Sequence, residues 1–140
     1  MRAAAEKAIE LDPLLPEAHD ALGMAYSRDG QWKQSEKSFR RAIELAPGRS
    51  MSYSHFALYV LLPLARVDEA RQQLAIAMKT DPLSSEVRYT LAFVLISARL
   101  YDEAIDECQK LPADYGSRNL CLGRARLGQG RISEAIEFLA

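Results

Sequence analysis

The sequence predicts an all-α fold in which about nine helices stack as pairs, and two observations carry that prediction. The first is a pattern of small, aromatic and aliphatic residues at helical spacing: His19-x-x-Leu22-Gly23-x-x-Tyr26, then Ser35-x-x-x-Phe39-x-x-Ala42, then Pro47. The second is its recurrence. Pro13 to Pro47 is 34 residues and Pro47 to Pro82 is 35, and each proline follows a helical apolar run that it prevents from continuing. The first-helix landmark moves from Leu22 to Phe56, Leu91 and Leu122, in steps of 34, 35 and 31. One such unit cannot bury its own apolar face, so neighbouring units must stack into a shared core with a groove.

Taken in order, residues 1–15 read as the second helix of a partial repeat, from Ala5, Ala8 and Pro13. Residues 16–49 form a complete repeat, with helices near 16–29 and 32–46 separated by Asp29-Gly30, where glycine supplies positive φ. Residues 50–83 repeat the pattern as Tyr53-x-x-Phe56-Ala57-x-x-Val60, Ala70-x-x-x-Leu74-x-x-Ala77 and Pro82. The extra residue of this copy is expected at Leu62-Pro63-Leu64-Ala65, with Pro63 ending the first helix early. Residues 84–115 form a shortened repeat, because Leu111-Pro112 arrives where the second helix would still be running; about a turn should be lost. Residues 116–140 hold Leu122-Gly123, Gly130 and Ala135-x-x-x-Leu139, a truncated repeat. All belong to one domain, 1–140. A domain that starts and stops inside repeats is expected to be a segment of something longer, or to cover its apolar edge at Ile136 and Leu139 by self-association.

Composition excludes several functions. The 140 residues carry Lys+Arg 18 against Asp+Glu 19, so no strong field draws the chain to nucleic acid or acidic lipid. Met1 to Asp12 holds Arg2, Glu6, Lys7 and Glu10 and so no apolar signal core; a cytoplasmic location is expected for the chain as written. Phe56 to Ala65 is apolar but far too short to span a membrane. Cys108 and Cys121 lack zinc-site spacing and read as buried, reduced thiols, the alternative being a bridge or redox pair between adjacent helices. His19 and His55 have no evident nucleophile, carboxylate partner or metal-ligand spacing. Gly128-Gln129-Gly130 is a turn rather than a phosphate loop, since the lysine and the strand are missing. The mixed-sign runs Lys33 to Arg41 and Glu103 to Lys110 read as solvated outer faces. No enzyme activity, cofactor or metal is expected.

The quoted pattern resembles the tetratricopeptide repeat across nearly the whole chain, with His19 where tryptophan is usual and Ser35 where alanine is usual. The resemblance implies a right-handed superhelix of antiparallel helix pairs whose first helices line a concave groove that holds a peptide or partner helix. A looser resemblance, on Tyr53 to Tyr59, Asp68-Glu69-Ala70 and Asp81-Pro82-Leu83-Ser84, is to repeat regions of bacterial multidomain signalling proteins.

On that groove face a helical wheel places Met24, Leu58, Phe93 and Arg124 at equivalent positions. Glu17, Asp20, Met51, Ser54 and His55 flank them in the first two complete repeats, and Tyr89, Thr90, Ile96, Leu120 and Leu127 in the last two. The expected groove is apolar in its middle and acidic at its N-terminal end. Some members of the family hold acidic chaperone tails through a cationic clamp, but Asp20, Met24, His55, Glu86 and Thr90 at the matching positions cannot form one. The expected ligand is therefore an apolar or amphipathic segment of another protein. The competing reading is that the same stripe is core or a self-association surface, making a homo-oligomer.

Overall fold

Nine α-helices follow one another along the chain, several of them with local start signals. In a computed structural model of the protein, which describes residues 1–140, these are α1 Arg2–Leu11, α2 Pro16–Arg28, α3 Trp32–Leu45, α4 Ser50–Phe56, α5 Val67–Thr80, α6 Ser85–Ser97, α7 Tyr101–Gln109, α8 Arg118–Gly128 and α9 Ile132–Leu139. Pro16 opens α2 at a position where its missing N–H costs nothing. Ser84 caps α6 by accepting from the Val87 amide at 3.2 Å. Asp68 and Glu69 in α5, and Asp102 and Glu103 in α7, place negative charge at the positive end of the helix dipole. No helix is long and apolar enough to cross a membrane. The chain divides into two compact units, Met1–Pro82 and Leu83–Ala140.

Within each helix pair the turn is built the same way four times. Residues Gly30, Ala65, Arg99 and Gly130 all take the left-handed conformation, with φ of 69°, 56°, 62° and 78°. The following amide reaches back five residues: Gln31 to the Tyr26 carbonyl, Arg66 to Leu61, Leu100 to Leu95 and Arg131 to Arg126, at 2.8–3.0 Å. This is the hydrogen bonding of a Schellman close, which satisfies the helix's last free carbonyls. Glycine makes it without steric cost in the first and fourth pairs, whereas Ala65 and Arg99 carry a Cβ there. Between the first repeats a second recurring contact holds the chain: the His19 ring lies 2.9 Å from the Pro13 carbonyl, and the Tyr53 hydroxyl donates to the Pro47 carbonyl at 2.9 Å. His19 and Tyr53 thus make equivalent contacts in successive repeats.

In the first unit Phe39, Phe56 and Leu74 are fully buried, among Ala18, Ala42, Ala57, Ala70 and Ala77. The small residues set how closely the helices approach. A Cβ on Gly23 would come within 2.9 Å of the Phe39 ring, so α2 and α3 can pack this tightly only with glycine there. Ser35 is explained by the same contact, since its buried hydroxyl donates to the Gly23 carbonyl at 2.7 Å. On the outside, Arg66 bonds Glu36 at 2.8 Å and Glu69 at 2.6 Å, and Arg40 joins the same two carboxylates at 2.7 and 3.2 Å. This network ties α3 to the start of α5.

The extra residue of the second repeat is not in the loop where it was expected. From His19 to Tyr53 the equivalent positions are 34 apart, but from Tyr26 to Leu61 they are 35, so the insertion lies between Tyr53 and Leu61. There α4 widens into a π-helical stretch, Ala57–Leu61, and the Leu62 amide reaches the Ala57 carbonyl at 2.9 Å. The widened turn keeps the closing turn identical to its counterparts. A loop insertion would have broken it.

The second unit packs Ala92, Leu95, Ala104, Ile105, Leu111, Leu122 and Ala125 into one core. A Cβ on Gly128 would collide with the Tyr101 ring at 2.2 Å, which fixes the contact of α8 with α7. Here the reading of Cys108 and Cys121 as reduced thiols is corrected: they form a disulfide, with Cα atoms 5.7 Å apart. The bridge lies where α7 stops early. That helix has 9 residues where α3 and α5 have 14. Its last turn therefore carries Cys108 to the first turn of α8, where Cys121 stands, within bridging distance.

Candidate functional site

The residues expected to line a groove fall into two sets, one in each unit. In the first unit Glu17, Asp20 and Met24 lie on α2, and Ser54 and His55 on α4, with Leu58 on its π-helical continuation. Met24 and Leu58 are half-buried, so each keeps apolar surface toward solvent. Ser54 is 1% exposed, which places its hydroxyl out of reach of a ligand.

Asp20 is also buried, and its surroundings were not legible in the spacing pattern. Its carboxylate accepts from Arg49, the residue capping α4, and from the Ser52 hydroxyl at 3.0 Å, while His55 Nδ1 lies 3.8 Å away. Arg49 also reaches Glu17 at 3.5 Å. The N-terminal end of this face is therefore not simply acidic: one guanidinium serves two carboxylates, and only Glu17 remains open to solvent. Arg49 was missed because it lies in the turn between repeats, outside any helical period. The hydroxyl, the carboxylate and the imidazole invite comparison with a catalytic triad, but the connectivity is wrong for one. Ser52 is fully buried and donates to Asp20 instead of to the histidine, so no base takes its proton. His55 instead packs its ring against Tyr59, with centroids 5.7 Å apart.

In the second unit Tyr89, Phe93 and Ile96 lie on α6, and Arg124 on α8. Tyr89 and Ile96 pack partly against the core, and the Tyr89 ring meets Tyr115 with centroids 6.1 Å apart. Burial, together with the nearby Glu86 charge, pushes the Tyr115 hydroxyl above its usual pKa, so it stays neutral. Phe93 is half-buried, and the exposed Arg124 guanidinium lies over its ring at 6.0 Å. The pair forms a cation–π contact at the surface.

At the C-terminal edge, Ile136 is 59% exposed and Leu139 44%. They are not equivalent. The Leu139 side chain occupies the space where Gly123 lacks a Cβ, which would otherwise sit 2.5 Å from it, so Leu139 seats α9 on α8. Ile136 shares the outer face of α9 with Ile132, 60% exposed. No group of three or more His, Cys, Asp or Glu side chains is arranged to hold a metal ion.

Helix pairs closed by repeated Schellman turns, with small residues at each crossing, define a helical-repeat protein. Two family models described as tetratricopeptide repeat match residues 16–49 and 64–120, together well over half of the sequence, and the chain belongs to that family. Comparison with curated protein sequences gives no significant match. Solved structures share the fold. MamA from AMB-1 superposes with a TM-score of 0.71 at 21% identity, covering 99% of this chain and 83% of MamA. YrrB, described as a tetratricopeptide protein with an unusual peptide-binding site, gives 0.67 at 19% identity, covering 98% and 72%. The TPR2B domain of yeast Sti1, solved as a complex with pHsp70, gives 0.61 at 21% identity, covering 88% and 89%.

Proposed function

We propose that this chain is a non-catalytic scaffold that binds a peptide or helix of a partner protein on the exposed faces of its first helices. The observation that carries the reading is the Phe93–Arg124 pair, an aromatic ring and a guanidinium held together at the surface of the second unit. Aromatic and arginine side chains supply a disproportionate share of binding energy at protein interfaces. Met24 and Leu58 offer the first unit's counterpart, both half-buried, the flexible thioether of Met24 able to repack around different side chains. Structural relatives fit this role: YrrB has a peptide-binding site and the Sti1 domain is complexed with pHsp70. The preferred segment is apolar or amphipathic, with basic residues directed toward Glu17. Nucleic acid is a poor match, because apolar Met24, Leu58 and Phe93 cannot read base edges and the net charge is −1. The residues that look like signalling-protein repeats suggest a bacterial signalling parent.

The test is selection of binding peptides from a displayed library of amphipathic helices, followed by affinity measurement with Leu58→Asp and Phe93→Asp. Each variant should lose at least about 30-fold in affinity, the size of a hot-spot loss, with the helical circular dichroism retained. Unchanged affinity in both would remove these faces from the site.

A second reading rests on a different observation, the exposed Ile132 and Ile136 on α9. In it the chain self-associates through this edge, and molar mass from light scattering over a concentration series would exceed that of the 15.6 kDa monomer.

A further inference from the structure

We infer that the Cys108–Cys121 disulfide is a structural staple that stands in for the missing end of α7, and that the protein therefore works in an oxidising compartment. In the first unit, second helices of 14 residues bury Phe39 and Leu74 and hold their pairs without a covalent crosslink. In the second unit α7 stops at Gln109, and residues 110–117 cross to α8 with Pro112 and Gly116 in their path. That connector contributes only Leu111 and Tyr115 to the core. The bridge spans this weak stretch, joining the last turn of α7 to the first turn of α8 across a sequence separation of 13. A crosslink over such a segment removes many conformations from the unfolded chain. Both cysteines are buried, at 0% and 1% exposure, inside the apolar cluster of the unit. A reductant reaches the sulfurs only when the connector opens, which suits a permanent bond and not a rapidly cycling redox pair.

Forming the bond takes two protons and two electrons from the thiols and passes them to a disulfide-bearing oxidant, which leaves as two thiols. Such oxidants maintain protein disulfides outside the reducing cytosol. This proposal departs from the cytoplasmic location expected from the N-terminal residues.

The test uses the full chain. The chain recovered from its native cells after acid quenching, denatured and alkylated without reductant, should have an intact mass showing no alkylation and two hydrogens fewer than the dithiol. Dithiothreitol should then lower its melting midpoint by about 15 °C, the effect of closing a loop of this length in a unit of this size. Native-state reduction should run roughly 100-fold slower than reduction in denaturant. The Cys108→Ala/Cys121→Ala form should melt where the reduced chain does, with no response to dithiothreitol; if it fails to fold, wild-type reduction still provides the comparison. Full alkylation of both cysteines, or a midpoint that dithiothreitol leaves unchanged, would overturn the proposal.

Discussion

The Ser27 hydroxyl on α2 donates a 2.6 Å hydrogen bond to the main-chain carbonyl of Tyr59, in the π-helical stretch that follows α4. The carbonyl needs it, because the residue four positions on is Pro63, which has no N–H to give. The helix end that Pro63 would leave unsatisfied is thus completed from the neighbouring helix, across 32 residues of sequence.

Ser27→Ala should therefore cost about 1–3 kcal/mol, the penalty for an unpaired, partly buried carbonyl. In a Pro63→Ala background residue 63 regains an N–H, and the cost of losing Ser27 should fall by about 1 kcal/mol. Urea unfolding of the four proteins measures this coupling; strictly additive costs would mean that the two residues do not share the Tyr59 carbonyl.

Ala65 holds the same left-handed position as Gly30 and Gly130 without being glycine. Its Cβ points into solvent, so Ala65→Gly should relieve strain without opening a cavity, raising stability by about 0.5–1 kcal/mol. A lower urea midpoint in the variant would contradict this.

Hydrogen bonding from Arg66 holds the Glu36 carboxyl below the usual carboxylate range, overcoming the opposing effect of partial burial, with Arg40 adding to it. A carboxylate with a depressed pKa stabilises the fold above its unfolded-state value and loses that contribution as pH falls through the folded one. Glu36→Gln should cost about 1 kcal/mol at neutral pH, as expected for a networked surface ion pair. The gap between variant and wild type should close as the pH is lowered through the carboxylate range. A gap that persists in acid would assign the effect to packing.

The C-terminal edge can be tested without confusing association with folding. Ile136→Glu should leave thermal stability within about 0.5 kcal/mol while returning any self-associated form to monomer mass. Leu139→Ala should instead cost about 1 kcal/mol, since this side chain fills the gap left by Gly123. If Ile136→Glu unfolds the second unit, Ile136 joins Ala135, Phe138 and Leu139 in seating α9.

Much of the fold could be read from the chain because its signals are local. Proline spacing, small residues at Gly23 and Ala42 and apolar residues at helical intervals each act within a turn or two, and they specify helices and pairs wherever they occur. The face that carries Met24, Leu58 and Phe93 follows from the same period, since side chains four residues apart share one side of a helix. Residue counting, by contrast, could place an insertion in the second repeat but could not say whether a loop or a π-helical turn absorbs it. Both contain the same number of residues.

By itself the sequence determined the family and the helix pairs, and it nominated side chains for a binding face. Only the tertiary structure decided which of those side chains are free to act. Arg49 captures Asp20 from 29 residues away, Leu139 settles into the hollow of Gly123, and Cys108 bonds Cys121 across the connector. Periodicity describes a helix relative to its own axis. These pairings depend on how far one helix runs before the next begins, so they arise only once separate elements have packed.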